Sequence, residues 1–171
     1  MVLSFTPNIS AIIFTSCVFS YVFINIFLPG LTLGYTEHIF AHVTAVAEKA
    51  GYILKTLGYG ARMVELAKIA GYLHDIGNLV NRDDHSQSGA VMAFLILDHL
   101  KFPPEEIGMI VSVIGDHDEG TGVPVSPLAA ALILADKSDV RWNRVRNQDE
   151  STFDIHDRVN YSVTKEDRFF R

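Results

Sequence analysis

Side chains that can bind a cation fall on the apolar faces of three separate predicted helices. His42 lies on the apolar stripe of one helix, His74 on the inner face of the next, and Asp136 on the inner face of a third, with Asp75 directly after His74. Burying an ionised carboxylate without a partner is strongly unfavourable, and no Lys or Arg occupies a matching inward position on those helices. A divalent cation accepts imidazole nitrogen and carboxylate oxygen together, so the combination predicts a metal site.

Each of these residues alone is weak evidence for a metal. A single histidine on an apolar face is more often a hydrogen-bonded core residue. A single aspartate there is more often a helix cap or a slightly rotated surface residue. The combination favours a metal, because three helices that are distant in the sequence each contribute one such group.

The elements that must position these residues show helical periodicity. Apolar residues recur at spacings of three and four from Ile39 to Leu57, with Thr36 as the predicted N-cap. Ser126 and Pro127 open the last helix as N-cap and first residue. We expect five helices, over residues 36–57, 61–75, 85–100, 103–114 and 126–136, and a strand or short helix over 152–163. The predicted fold class is an all-α bundle, with any short β element confined to the region near the C-terminus.

Charge divides the chain of 171 residues into unlike parts. Residues 1–36 contain no Asp, Glu, Lys, Arg or His. We predict a hydrophobic segment over 1–33, a helical domain over 34–146 and a polar tail over 147–171. The net charge of −6 argues against a nucleic-acid backbone as the main partner, because such binding is driven by clustered Lys and Arg. The single cysteine excludes an intrachain disulfide and fits a cytoplasmic helical domain.

Residues 9–28 are uncharged, mostly apolar and long enough to cross a bilayer as a helix. The segment lacks the basic n-region of a secretory signal peptide. Three interpretations remain open: a native membrane anchor, a hydrophobic helix buried against the soluble domain, and a segment that is not native to this domain. Fractionation of the expressed protein separates them, since a wholly soluble product would remove the anchor.

Three sequence elements resemble the HD superfamily of metal-dependent phosphohydrolases. Residues 70–78, AGYLHDIGN, look like that family's LLHDIGK motif; residues 42–47, HVTAVA, resemble its first histidine with the HxxxVA context; residues 134–139, LADKSD, look like its terminal lADrxD element. The order of the elements and their helical context agree with the family over about residues 34–146. The resemblance implies an HD-type helical bundle whose metal ligands include His42, His74, Asp75 and Asp136.

Two further histidines extend the resemblance. His85, in HSQSGA, is similar to the family's HxxxGA element, and His117, in GDHDEG, is similar to its loop histidine. Members with both tend to hold two metals bridged by the aspartate of the HD pair. The resemblance therefore implies one or two divalent ions (Mn, Fe, Mg, Ni or Co), with His85 and His117 as additional ligands. The alternatives are a surface histidine at a helix start and a loop histidine in an acidic patch.

The function implied by the resemblance is hydrolysis of a phosphomonoester or phosphodiester by a metal-activated water. The expected partner is a phosphate ester of a nucleotide or another small molecule, and not a nucleic acid. Asp75 would act at the reacting centre and His38 would protonate the leaving oxygen. Lys137, Arg141 or Arg144, which closely follow Asp136, would bind the phosphate. Solvent-exposed surface positions are the alternative for His38 and for each of these cations.

The sequence departs at two positions from one subfamily of the HD superfamily. Asn78 and Asp118 stand where the subfamily that cleaves cyclic dinucleotides has a lysine and a second histidine, which argues against cyclic di-GMP. Asp118 and Glu119 are candidates for positioning the metal or water.

The four histidines and two aspartates also match an HD-type diiron oxygenase, which iron-dependent oxygen uptake would reveal. A non-catalytic metal-binding module is the third class, and undiminished thermal stability without metal would support it.

Overall fold

A computed structural model of the protein describes residues 39–118, 122–140, 150–152 and 155–163. The helices are α1 (Ile39–Thr56), α2 (Ala61–Leu73), α3 (His85–His99), α4 (Pro104–Gly115), α5 (Pro127–Lys137) and α6 (Ile155–Tyr161), with 3-10 helices at Ile76–Leu79 and Glu150–Thr152. No β-strand occurs within these ranges, which confirms the predicted all-α class. The region predicted as a strand or short helix over 152–163 contains the helix α6.

The chain divides into two units, residues 1–136 and 137–171. The core of the first unit is formed by buried apolar side chains from α1 to α5, among them Leu54, Leu66, Ile69, Leu97, Ile110 and Leu132. In the second unit, Asp139 is buried and the described helices are short. The predicted boundaries after residues 33 and 146 stay predictions.

The apolar stripe of α1 is buried for most of its length. Val43, Val46 and Ala50 are at most 5% exposed, as the spacing of three and four predicts. Leu57 differs, because it is 67% exposed and lies beyond the helix, which ends at Thr56. Gly58 takes a φ of 83°, a left-handed conformation typical of a glycine just past a helix end. This turn directs the chain away before Leu57 can reach the core.

Helices α1 and α2 pack with their backbones in close contact. A Cβ atom added to Gly71 would lie 2.6 Å from the Cα atom of Ala47, so the contact requires glycine at this position. His42 precedes Ala47 on α1 by about one turn, and His74 follows Gly71 directly after α2. The close contact therefore brings the two histidines to the same end of the helix pair.

A second close contact sets the start of α3. The chain leaves α2 through the 3-10 helix Ile76–Leu79, and a Cβ atom on Gly77 would lie 1.8 Å from the carbonyl oxygen of His85. Gly89 on α3 approaches the same segment, since its Cβ position is 3.2 Å from the amide nitrogen of Gly77. The absence of side chains at both glycines lets α3 begin beside Asp75.

The last two helices of the first unit begin as the sequence predicts. Pro104 lies in the first turn of α4, followed by acidic residues that interact favourably with the helix dipole. The Ser126 hydroxyl oxygen accepts a hydrogen bond of 3.1 Å from the amide of Ala129 and thereby caps α5. The cap fixes where α5 starts, and hence which residues of α5 face the core.

An ion pair ties α2 to α4 at the end of the first unit that is remote from His74. Arg62 donates from Nε to Glu106 Oε1 at 2.7 Å and forms a second hydrogen bond to the other oxygen of that carboxylate. It also donates to Glu65 at 2.8 Å and lies over the ring of Phe102. Neighbouring carboxylates raise the pKa of Arg62, so its charge is permanent.

None of the helices in the described ranges combines the length and the apolar character that a membrane span requires. The uncharged stretch over residues 9–28 and the predicted N-cap Thr36 lie outside the described residues.

Candidate metal centre

His42 lies near the start of α1, with 4% of its surface exposed, and points toward two carboxylates. Its Nε2 atom is 3.2 Å from Asp136 Oδ1 and 3.6 Å from Asp75 Oδ2. Asp136 comes from the last turn of α5, where its side chain is 11% exposed. Helices α1 and α5 thus bring together an imidazole and a carboxylate that are almost a hundred residues apart in the sequence.

His74 follows α2 and is completely buried. Its Nδ1 atom lies 2.8 Å from the carbonyl oxygen of Gly71. A carbonyl only accepts, so Nδ1 carries the proton and Nε2 keeps its lone pair in the neutral ring. This Nε2 is buried without a hydrogen-bond partner, 3.6 Å from Asp75 Oδ2 and 3.8 Å from Asp136 Oδ1.

His85 and His117 repeat the arrangement of His74. The Nδ1 atom of His85 lies 3.0 Å from the carbonyl oxygen of Arg82, and that of His117 lies 2.6 Å from the carbonyl oxygen of Ile114. In all three cases the acceptor lies three residues earlier; for His74 and His117 it belongs to the last turn of a helix, where carbonyls lack partners within the helix. One hydrogen bond therefore satisfies a backbone group and orients the ring, with Nε2 left as the free nitrogen.

The rings meet around Asp75. His117 lies 5.0 Å from His74 and 5.1 Å from His85, measured between ring centroids. Asp75 Oδ1 is 3.5 Å from His85 Nε2, whereas Oδ2 faces Nε2 of both His42 and His74. The two oxygens of this one carboxylate thus face different groups of histidines.

The ligand atoms form two groups. Those of His42, His74 and Asp136 lie within 4.8 Å of one another, and those of His74, Asp75 and His117 do so as well. We call His42, His74 and Asp136 the helix half of the centre, and His85 and His117 the turn half; Asp75 faces both halves with its two oxygens.

Electrostatics favour the protonation states that a metal requires. Burial raises the pKa of Asp75, but the neighbouring His74 and His42 more than offset it, and the net direction is downward. Burial and the proximity of His74 lower the pKa of His117 to about 4. At neutral pH, Asp75 is therefore ionised and His117 is neutral, which is the form of each side chain that binds a cation.

The donor set fits a divalent cation. It combines neutral imidazole nitrogens with carboxylate oxygens, as such ions require, and hydrogen bonds from Nδ1 to backbone carbonyls are typical of metal-binding histidines. The strongest sign is Nε2 of His74, because a buried polar atom without a partner is rare in folded proteins. A cation between the two halves would provide that partner.

The structure brings together all six predicted metal ligands, which are His42, His74, Asp75, His85, His117 and Asp136. His38, Glu119, Arg141 and Arg144 lie outside the described residues. Lys137 is exposed and begins the second unit. His99 is exposed at the end of α3.

Sequence reasoning missed the contacts that support the turn half. Gly77 and Gly89 were not singled out, although the close contact between them sets where His85 lies. Gln87 was missed too; its Nε2 donates to the carbonyl oxygen of Gly115 at 2.9 Å and so ties the start of α3 to the end of α4. A glycine two residues after the HD pair was the available signal, since glycine marks close backbone approach.

Comparisons with known proteins identify relatives over most of the chain. It is 31% identical over 155 residues to the uncharacterized protein MJ1020 of Methanocaldococcus jannaschii, covering 77% of this chain and 59% of that protein. It is 30% identical to ribonuclease Y of Fervidobacterium nodosum over 122 residues, and to ribonuclease Y of Bacillus subtilis over 116 residues. Those matches cover 70% and 66% of this chain, which spans 21% of each ribonuclease Y. No solved structure gives a significant match.

The family model for the HD domain matches residues 39–141. This range contains both halves of the centre and more than half of the chain. The match confirms the resemblance found in the sequence, and members of this superfamily are generally metal-dependent hydrolases. The protein is therefore a member of the HD domain family.

Proposed function

We propose that the protein is a metal-dependent phosphohydrolase that cleaves a phosphate ester of a nucleotide or another small molecule. The observation that carries the proposal is the common orientation of His74, His85 and His117, whose Nδ1 atoms are held by backbone carbonyls. This leaves three Nε2 lone pairs around a carboxylate that is ionised at neutral pH. Such an arrangement suits neutral ligands of a cation and does not suit proton donors.

The chemistry of the centre divides between the ion and the chain's own residues. A bound divalent cation would lower the pKa of a water molecule and neutralise charge on the phosphate oxygens. One carboxylate oxygen of Asp75 faces His74 and the other faces His85. Asp75 is therefore suited to accept a hydrogen bond from the attacking water and to orient it. The buried side chains of His42 and His74 keep bulk water away from the deeper side.

Two roles in the proposed reaction rest on the sequence. His38 is the predicted general acid that protonates the leaving oxygen. Lys137, Arg141 or Arg144 is predicted to bind the phosphate. His38→Gln would then slow substrates with poor leaving groups far more than p-nitrophenyl phosphate, whose leaving group needs no protonation. Equal slowing of both kinds of substrate would contradict that role.

The relatives named ribonuclease Y favour a phosphodiester as the second candidate substrate. Their name denotes cleavage of RNA, and the matched region covers at least 66% of this chain. Our expectation that nucleic acid is not the partner rests on the net charge of −6. A short RNA, a small diester and a small monoester assayed side by side would decide between the substrates, and cleavage of RNA alone would contradict that expectation.

The test begins with the metal content of the purified full chain, followed by a phosphoester screen. Chain reconstituted with Mn, Mg, Fe, Co or Ni is assayed on p-nitrophenyl phosphate, its bis-ester and a nucleotide panel. His74→Ala should lose both bound metal and activity, because it removes the buried nitrogen shared by both groups. His99→Ala is the matched control, since this histidine is exposed, and it should retain both.

Two results would contradict the proposal. Iron-dependent oxygen uptake with no turnover of any ester would identify a diiron oxygenase. Stoichiometric metal with neither activity would identify a non-catalytic module. The cytoplasmic location of the helical domain and anchoring through residues 9–28 stay predictions, which fractionation of the expressed chain would check.

A further inference from the structure

The turn that leads into α3 holds a basic residue next to the metal centre. The carbonyl oxygen of Arg82 accepts the hydrogen bond from Nδ1 of His85 at 3.0 Å and also lies 3.4 Å from the amide nitrogen of His85. The position of the Arg82 backbone is therefore fixed relative to a predicted ligand. The guanidinium group extends from that point on an exposed side chain.

Hydrogen bonds to α3 hold the turn in one conformation. Asp84 takes a φ of 56°, a left-handed conformation that is uncommon outside glycine, although aspartate adopts it more often than most residues. Its carbonyl oxygen accepts hydrogen bonds of 3.1 Å from the amides of Gln87 and Ser88, in the first turn of α3. Conformations of this kind persist where the surroundings determine them, and they are frequent at functional sites. Arg82 is thus presented by a specific turn that is hydrogen-bonded to α3.

Each of the other basic side chains in the described part of the first unit is paired or lies about two helical turns or more from the predicted ligand that precedes it in the chain. Lys68 pairs with Glu48 at 2.6 Å, and Arg62 pairs with Glu106 at the start of α4. Lys55 and Lys101 follow His42 and His85 by 13 and 16 residues, which is roughly 20 Å or more along a helix. Lys49 is two turns along α1 from His42.

Arg82 differs from these residues in its charge environment. Asp83 and Asp84 follow it in the sequence, yet among the described residues no carboxylate forms an ion pair with its guanidinium. Both aspartates are exposed. An unpaired guanidinium offers a planar set of donors that matches two phosphate oxygens, whereas the flanking carboxylates would repel a long polyanion.

We propose that Arg82 binds the phosphate group of a small phosphomonoester at the turn half of the centre. This inference rests on the proposed phosphohydrolase function and adds a substrate-binding residue that the sequence did not suggest. In this arrangement, Asp75, His85 and His117 hold the cation, and Arg82 binds phosphate oxygens from the solvent side. The substrate class is a small phosphate dianion.

The test uses the full chain loaded with manganese, as wild type, Arg82→Ala, Arg82→Lys and the control Lys55→Ala. Three quantities are measured: bound manganese, the Kd for inorganic phosphate by calorimetry, and kcat and KM for p-nitrophenyl phosphate. Arg82→Ala should raise the Kd and KM by about tenfold or more, because one charge-assisted hydrogen-bonding group is lost. Its manganese content should equal that of wild type.

The other variants sharpen the result. Arg82→Lys should fall between wild type and Arg82→Ala, since it keeps the charge and loses the planar donor set. Lys55→Ala, which removes an exposed charge remote from the centre, should match wild type in all three measurements.

Several outcomes would overturn the inference. Unchanged phosphate binding in Arg82→Ala would do so directly. Lower manganese content in Arg82→Ala would show that the residue acts only by holding His85, and an equal effect of Lys55→Ala would show nonspecific electrostatics. In these cases wild-type hydrolysis would still support the proposed function. A wild-type chain that retains manganese but hydrolyses no ester and binds no phosphate would overturn both.

Discussion

The two halves of the metal centre are built in different ways. In the helix half, His42 and Asp136 lie within regular helices, and the contact between Gly71 and Ala47 sets the distance between helices. In the turn half, His85 and His117 lie at helix ends, where single hydrogen bonds to Arg82 and Ile114 orient the rings. Packing of whole helices fixes the first half, whereas the geometry of a few turns fixes the second. We expect the turn half to be more sensitive to local changes.

The largest expected effect comes from a variant that disrupts both halves of the centre at once. Asp75→Asn removes the carboxylate charge that faces His42 and His74 with one oxygen and His85 with the other. It should lower metal content in both halves and reduce hydrolysis to background. Asp136→Asn affects only the helix half, so metal analysis should show a smaller loss. Equal losses in the two variants would contradict the assignment of Asp75 to both halves.

The second largest expected effect is a loss of folding stability at low pH, caused by His117 in the turn half. The pKa of His117 is lowered to about 4 in the folded chain, below the ordinary 6.5, so the unfolded chain binds more protons between these values. The metal-free protein should therefore lose stability as pH falls from about 6.5 to 4, by about 1 kcal/mol per pH unit at the steepest.

Denaturant unfolding at a series of pH values measures this dependence. His117→Gln should reduce the slope, because it removes the group that titrates. His99→Gln should keep it, since that histidine is exposed. A His117→Gln variant with an unchanged slope would show that another group is responsible.

Adding a single methyl group at Gly77 should distinguish the two halves, because the change falls beside His85 in the turn half. Gly77→Ala places a Cβ atom where the carbonyl oxygen of His85 lies, so α3 must shift. We expect a loss of about 1–3 kcal/mol in unfolding free energy, together with lower metal content in the turn half. Gly108→Ala on α4, with open space at its Cβ, should instead stabilise the protein by about 0.5–1 kcal/mol. Full metal content in Gly77→Ala would contradict the role of this contact.

The smallest expected effect comes from a variant that tests whether a loss of folding stability by itself lowers metal content. Glu106→Gln weakens the bidentate ion pair with Arg62, which lies far from either half. The partly exposed pair should contribute about 1 kcal/mol to stability. Metal content and activity should not change. If this variant also lost metal, the losses expected for Gly77→Ala could not be assigned to the turn half.

The helix half could be predicted from the residues themselves. Helical periodicity placed His42, His74 and Asp136 on inner faces, and all three are at least largely buried. The turn half was reached only through resemblance, because His85 and His117 follow turns whose shape no periodicity encodes. Their positions depend on contacts between distant segments, such as Gly77 against His85. Leu57 shows the same limit on a smaller scale, since a glycine turn ended the helix before its stripe did.

The contact between Gly71 and Ala47 has a consequence for engineering the centre. The three atoms nearest to the position of a Gly71 Cβ all belong to the backbone of α1, so no flexible side chain at that point could move to absorb a substitution. Any enlargement at position 71 would separate His42 from His74 directly. A variant library meant to alter metal preference should therefore keep this helix pair constant and diversify the exposed residues of the turn before α3.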